Sequence, residues 1–455
     1  MMQPIMHYSI PETRDLKDDK GSYMGYSFHI NGVLHSCVRY RQLHDLHERL
    51  SRAFGQSTLP PFPPKRLFPL TSQQLEERRA RLEKYIQGLS QDPRVSNSSL
   101  FNNFWVSTQR ESRHMTLENV SLDVFLMNGS KLTQEVSTIS PTHEVHQKVC
   151  ERLGLPERLY PHFGLFLMQK QEDGGVSMAR YLQDCESPYI TLKSFGNQCR
   201  IVIRKKTWDP GIELEVLRDP VGLNLAYMQT VADIEHGWVP VPTDVQEALA
   251  RLQSRGAKQQ YMEDARKQRF YGCIQFDPCV CDHPEPGTRV TIRMSCKEMI
   301  MWCAEKTCNA AAASPPIRET VFRVTRIKCW RITTKPKPLP DETEDERIPT
   351  DPETKEMELE LAFEYLVAKD ELQWVRITSP QAVLMSLCLH SMVQEIFQTQ
   401  HKNHSDHPTD GGESSRNGMR VSSSLSWLSG KIKGRTPSQP EVQNSVFNNI
   451  GDDDL

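Results

Sequence analysis

Apolar and polar positions alternate along residues 5–10 and 23–39, and a period of two predicts strands. YMGYSFHI and VLHSCVRY flank Asn31-Gly32. That dipeptide suits a two-residue hairpin turn, because both residues tolerate positive φ. The period then changes: Leu43, Leu46, His47 and Leu50 recur at spacings of three and four, which predicts a helix. TLPPFPPKRLFPL follows, and its five prolines predict extended polyproline II, either solvated or laid in a groove. A second helix is predicted over 72–90, with Leu75, Leu82, Tyr85, Ile86 and Leu89 on one side and Ser72 as N-cap. A third is predicted over roughly 96–106.

HMTLENVSLDVFLMNGSKLTQEV reads as another hairpin, turning at Asn128-Gly129. A helix from about Pro141 to Leu153 follows, with proline at a favourable first position. The strand FGLFLMQK, an EDGG turn and a last strand CRIVIRKKTW complete this unit. Residues 208–270 read as helical, at Leu223–Ile234, Val245–Leu252 and Lys258–Phe270. Strands return at 271–277, 288–294, 317–333, 357–367 and 372–378, and a helix Pro380–Phe397 closes the region. The run DETEDERIPTDPETKE (341–356) is acidic and predicts an exposed loop. From about His401 the chain is rich in Ser, Gly, Asn and Asp without apolar periodicity, which predicts disorder. Yet it ends NSVFNNIGDDDL, with Val446, Phe447, Ile450 and Leu455 spaced through a segment that has no solvent-side need for them.

The fold class expected is α+β and multidomain. With 455 residues, 37% of them hydrophobic, the chain has room for two to four domains. A net charge of −3 argues against bulk nucleic-acid binding, so any anion site must be local. Twelve scattered cysteines and a start without an apolar run suggest free thiols in a reducing setting. No stretch is apolar for the 18 residues a membrane span needs. Cys279, Cys281 and His283 lack the usual zinc spacing and sit among Pro278, Pro284 and Pro286, so no metal is expected. No phosphate loop, G-x-S-x-G or H-E-x-x-H is present, and no catalytic residue, enzyme activity or cofactor is expected.

Arg39 and Tyr40 end the third strand, Lys65 and Arg66 follow the prolines, and Arg78, Arg79 and Arg81 lie in the second helix. Two arginines and a lysine converging where a sheet meets helices would suit a phosphorylated inositol, with arginine making bidentate contacts and lysine acting as a point charge. The other reading is solvated surface charge. V-R-Y-R-Q-L-H-D-L-H, P-P-F-P-P-K and R-R-x-x-L-x-x-Y, in that order, resemble a phox-homology (PX) domain. The resemblance implies that Arg39 holds the 3-phosphate of phosphatidylinositol 3-phosphate and that Tyr40 packs on the ring. Lys65 would then meet the 1-phosphate and Arg78 the free hydroxyls. Val38 and Leu43 depart from the family pattern without removing a contact.

The order that follows, a ubiquitin-like lobe, a helical lobe and a β-sandwich with a closing helix, resembles a FERM module. PX followed directly by FERM resembles the PX-FERM sorting nexins. The domains expected are 1–108 (PX), 113–206 (F1), 207–270 (F2), 271–399 (F3, similar to phosphotyrosine-binding domains) and a tail, 400–455. The resemblance implies a peripheral protein of the cytoplasm and of the cytosolic face of early endosomes. Its F3 lobe would bind Asn-Pro-x-Tyr or Asn-x-x-Tyr signals in receptor tails of the integrin-β and LDL-receptor-family type and send that cargo to recycling.

VFRVTRIKCWRI is the expected edge strand for such a peptide, with a bulge at Thr325-Arg326. The family places Trp330 along the peptide, and Val383 and Leu387 of the closing helix opposite it. On spacing alone, either Trp330 or Cys329 could face the core. The end IGDDDL resembles the C-terminus through which a member of this group recruits the Retriever complex. Ile450 and Leu455 would be its anchors, and Asp452, Asp453 and Asp454 its charge. Asn444 and Phe447 stand at Asn-x-x-Tyr spacing, which suggests an internal pseudo-ligand; a flexible tether of about 45 residues spans roughly 35–40 Å. The competing class is a Ras-like GTPase effector, with Arg200, Arg204, Lys205 and Lys206 of F1 facing an acidic switch region.

Overall fold

The computed structural model describes residue 6 and residues 8–18, 21–30, 33–66, 70–304, 317–336, 357–405 and 441–447. Strands β1 (Tyr8–Asp18), β2 (Gly21–Ile30) and β3 (Val33–Arg39) form an antiparallel sheet in chain order. Ile30 pairs with Val33, as the expected hairpin requires, although Asn31-Gly32 lie outside the described residues. β1 runs further than alternation predicts. Pairing with β2 satisfies its backbone as far as Asp18 while its polar side chains face water.

Four helices cover this sheet: α1 (Tyr40–Phe54), α2 (Ser72–Ser90), α3 (Pro93–Ser96) and α4 (Ser99–Ser112). Ser72 is the first helical residue of α2 and not its cap. Thr71 caps it: its Oγ1 accepts from Gln74 N, and Gln74 Oε1 accepts from Thr71 N, a reciprocal pair.

The next unit holds β4 (Asn119–Phe125), β5 (Lys131–Ser137), α5 (Thr142–Leu153), β6 (Phe163–Lys170), β7 (Val176–Tyr181), α6 (Pro188–Phe195) and β8 (Cys199–Lys205). The sheet order is β5-β4-β8-β6-β7, with β4 and β8 parallel. Val145 and Val149 of α5 pack into a core with Leu122, Val124, Ile201 and Ile203. Pro141 is the N-cap of α5, in extended conformation, so the helix starts one residue later than expected.

Helices α7 (Pro210–Leu217), α8 (Pro220–Glu235), α9 (Thr243–Ser254) and α10 (Lys258–Ala265) follow. The first two open with Asp-Pro: Asp209 and Asp219 cap the free N–H groups, and proline at the first position has none to lose.

The last lobe has β9 (Ile274–Gln275), β10 (Cys279–Cys281), β11 (Thr288–Ser295), β12 (Glu298–Ala304), β13 (Ile317–Arg323), β14 (Ile327–Pro336), β15 (Met357–Ala368), β16 (Glu371–Thr378), α11 (Ala382–Ser405) and β17 (Val442–Gln443). Its strand path is β13-β12-β11-β10-β16-β15-β14-β17, with β9 on β11.

The long strand expected at 317–333 is two strands. No bulge forms at Thr325-Arg326; a 3-10 turn over Val324–Arg326 sends β13 and β14 to opposite ends of the sheet. The closing helix continues past Phe397 to Ser405. The acidic loop 341–356, the expected disordered stretch 406–440, and residues 448–455 with Ile450, Asp452, Asp453, Asp454 and Leu455 lie outside the described residues. The tail expected to be structureless nonetheless contributes a strand and a turn at 442–447.

The N-terminal unit docks on its neighbour. Gln109 Oε1 accepts from Ser187 N (2.9 Å), its Nε2 donates to Thr191 Oγ1 (3.2 Å), and Cys185 joins the core built around Trp105. No described helix is long and apolar enough to cross a membrane.

Candidate functional site

Two sites emerge, one cationic and one at a sheet edge. The cationic one begins at the β3–α1 corner. Phe62, in the proline run, lies between helices α1 and α2. Its ring stacks on His47 at 4.7 Å and meets Tyr85 edge-on at 4.9 Å. Pro60 lies so close to Gly88 that an added Cβ would stand 2.8 Å from its ring. The prolines are therefore clamped in a groove, and Lys65 leaves it exposed to solvent.

Tyr40, at the start of α1, donates its hydroxyl to Pro63 O (2.7 Å) and lies beside Phe62. The Arg78 guanidinium stands 4.4 Å over the Tyr40 ring, and its Nη2 is buried with no hydrogen-bond partner among the described residues. The Arg39 guanidinium lies on the Tyr23 ring, 3.2 Å from its centroid. Tyr40 thus links Arg39, its chain neighbour, to Arg78 on the next α-helix, α2.

The neighbouring arginines are employed elsewhere. Arg79 bonds Glu76, Glu83 and the carbonyl of Ile10, tying α2 to β1. Arg81 pairs with Glu77. A buried guanidinium edge without an acceptor carries a desolvation cost that an anionic ligand would remove.

The second site is the free side of β14. There the tail adds β17 antiparallel, with Val442 opposite Trp330 and Gln443 opposite Cys329. Asn444 follows and is buried. Its backbone N–H donates to Lys328 O (3.0 Å), and its Nδ2 donates to Val324 O (2.8 Å) and Ile327 O (2.6 Å). Its Oδ1 accepts from Val446 N (3.0 Å), and Phe447 N donates back to Asn444 O (3.3 Å), closing a turn. The 3-10 turn at Val324–Arg326 ends at Ile327, whose N–H donates to Val324 O, and this break in the strand brings the carbonyls of Val324 and Ile327 within reach of one amide. Val446 is buried in the lobe's core and Phe447 half-buried. At the other end Glu441 Oε1 lies 3.1 Å from Arg331 Nη1.

The expected groove residues divide. Trp330 is on the edge strand, but its side chain is a core residue, 1% exposed, with Nε1 donating to Ser386 Oγ of α11 at 3.0 Å. Its contribution to the edge is its backbone. Cys329 faces the other side, and burial pushes its thiol up to about 12. Val383 is partly buried and packs on the core. Leu387 stands about 100° around the helix from Ser386. It lines a cleft of about 830 Å³ with His390, Gln394 and residues of the two preceding lobes. Sequence reasoning missed the carbonyls of Val324 and Ile327, because a backbone acceptor leaves no residue-type signal.

The basic patch proposed for a GTPase does not exist as a surface. Arg204 is buried in a two-point pair with Asp233 of α8 (2.9 and 3.0 Å). Lys205 is buried against Glu213 of α7, whose carboxylate also takes Arg266 (2.8 Å) and the Tyr271 hydroxyl (2.6 Å). Lys206 donates to Tyr181 Oη, and only Arg200 is well exposed. These charges hold two lobes together. Cys279 and Cys281 are buried side chains of β10, and burial pushes their thiols up to about 12 and about 11.

Residues 26–107 match the family model of the PX domain, 120–208 that of the sorting nexin 17/27/31 FERM F1 lobe, 209–269 the sorting nexin 17/31 F2 lobe, and 272–397 the sorting nexin 17 FERM C-terminal domain. Sorting nexin-17 of Danio rerio is 41% identical over 86% of the chain and 81% of its own length. Human sorting nexin-17 is 43% identical over 86% and 82%. Mouse sorting nexin-31 is 36% identical over 86% of each.

Proposed function

The chain belongs to the sorting nexins that join a PX domain to a FERM module, and on that premise we propose that it is an endosomal cargo adaptor. Its PX domain binds phosphatidylinositol 3-phosphate on the cytosolic face of endosomes, and its third FERM lobe takes Asn-Pro-x-Tyr or Asn-x-x-Tyr signals in receptor tails and directs them to recycling. Arg39 and Arg78 grip the phosphorylated ring from two sides of Tyr40, and Lys65 meets the phosphate nearest the membrane.

The observation that carries the cargo half is the seat of Asn444. One asparagine amide spans the carbonyls of Val324 and Ile327 while its oxygen holds a turn, and the residue three places on is aromatic. Any Asn-x-x-aromatic segment can make the same bonds, so the groove reads asparagine by geometry. The tail is then an internal pseudo-ligand. Receptor tails displace it and release the following residues, Ile450 to Leu455, to recruit the Retriever complex. The lipid and the receptor tail are each weak ligands, and holding both on one membrane raises the effective concentration of each. The GTPase-effector alternative loses its support with the burial of Arg204 and Lys205.

Two titrations test this reading. Arg39→Gln should abolish flotation with liposomes containing phosphatidylinositol 3-phosphate while leaving binding of an Asn-Pro-x-Tyr peptide intact. The lost contact is worth about 1.5–3 kcal/mol, as expected of a hydrogen bond to a charged group. Undiminished flotation would remove the pocket assignment, and failure of every such peptide to bind would remove the groove.

A further inference from the structure

Antiparallel register fixes more than the asparagine. With Gln443 opposite Cys329 and Val442 opposite Trp330, residue 441 falls opposite Arg331. Arg331 and Cys329 alternate with the core residue Trp330, so both face outward from the sheet. On that face the Arg331 guanidinium lies over the Trp374 ring of β16, 4.5 Å from its centroid, and its Nε is buried without a hydrogen-bond partner among the described residues.

The guanidinium is thus held over an indole and reaches the strand added at the edge. Glu441 meets it: Oε1 is 3.1 Å from Arg331 Nη1, and Oε2 takes the Cys329 thiol at 3.7 Å. Of the β15 carboxylates on this face, Glu364 is engaged by Lys328 at 2.9 Å and Glu360 accepts from Thr333 Oγ1 at 3.2 Å, while Arg331 stands opposite Ala362. The side chains of both Arg331 and Glu441 are less than one-third exposed.

We infer that Arg331, held on Trp374, is a specificity residue of the groove: it selects an acidic residue three positions before the asparagine of the bound segment. The inference rests on the reading of residues 441–447 as a stand-in for cargo. The ligand class is then acidic–apolar–x–Asn–x–x–aromatic, with the apolar residue opposite Trp330. A planar guanidinium with its stem fixed loses little freedom on pairing, which favours selectivity at this position over a solvated lysine. Cross-strand pairs of opposite charge are favourable and like charges directly opposite are not.

The test uses the full chain carrying Asn444→Ala and Phe447→Ala, which vacates the edge, titrated with three synthetic peptides. One is residues 438–450 of this chain; the others carry Gln or Lys at the position of Glu441. The Glu peptide should bind about two- to fivefold tighter than the Gln peptide, with the Lys peptide weaker still. Arg331→Glu should invert the order of the Glu and Lys peptides, an inversion that a misfolded lobe cannot produce. Equal affinities for all three peptides would overturn the selectivity while leaving the groove in place. No binding by any peptide would overturn the groove reading, and this inference with it.

Discussion

Residue type set chemistry at each position, but burial decided which residues of a type were available for it. Arg78, Arg79 and Arg81 are near neighbours on one helix. Two are neutralised by glutamates on their own turns, and only Arg78 turns to Tyr40 with an unmet N–H. Trp330 illustrates the converse. A tryptophan beside a recognition edge invites a role in contact, yet here its indole is locked between β14 and α11. Trp330→Ala should therefore cost about 3–5 kcal/mol of stability, the range for truncating a buried aromatic. A thermal melt of the full chain checks this. A variant that melted like the parent and lost only peptide affinity would return Trp330 to the groove surface.

Among elements, α11 ties the last sheet to the preceding lobes. One face packs under the last sheet, and another closes the cleft against the two preceding lobes. Glu395 marks the joint. Its carboxylate accepts from the N–H groups of Trp208 (2.9 Å) and Asp209 (2.7 Å). Burial outweighs those bonds and pushes its pKa up to about 7. A folded pKa above the unfolded value means that the native state holds the proton more tightly. The stabilisation is complete below the unfolded pKa near 4.3 and is lost as pH rises through about 7. Glu395→Gln keeps an acceptor without the charge. It should flatten the dependence of melting temperature on pH between 5 and 8, and stabilise the chain at pH 8 by about 1–2 kcal/mol, a figure reduced for the water that reaches the cleft. A parent chain with no such slope would show that the backbone bonds, and not burial, set the state of this carboxylate.

The elements themselves were largely legible. Strong 3–4 or 2 periodicity located α1, α2, β4, β5 and β11, because those segments bury one face. β12 escaped: MIMWCA is apolar without alternation, as a strand packed on both sides must be. The corner at Val324–Arg326 escaped as well, because a phase shift in the pattern fits a bulge or a break, and only the position of β13 across the sheet separates the two.

In the whole molecule, the cationic pocket and the sheet edge are connected through contacts between successive lobes. Gln109 bridges the PX domain to Ser187 and Thr191, and Arg204 and Glu213 bridge the first FERM lobe to the second. The tail closes the edge from the far end of the chain. Asn444→Ala with Phe447→Ala in the full chain should raise affinity for a receptor-tail peptide by about three- to tenfold, the penalty a tethered competitor imposes at effective concentrations up to about millimolar. Equal affinity in parent and double variant would show that the tail contact does not compete with cargo.

What the sequence determined by itself was local: which segments form helices and strands, where an Arg-Tyr pair and a clamped proline run occur, and that a polar tail ends in residues with no reason to be solvated. Those follow from period, turn chemistry and residue type over short windows. The tertiary structure alone decided which charges meet solvent, since Arg204 and Lys205 carry the same sequence signal as an exposed patch until α7 and α8 pack over them. It also decided that two backbone carbonyls, 120 and 117 residues from Asn444, would receive its amide. Contacts at that separation depend on how lobes and strand edges are placed. No local pattern encodes that placement, because every residue presents the same backbone groups and only the fold determines which of them a distant side chain meets.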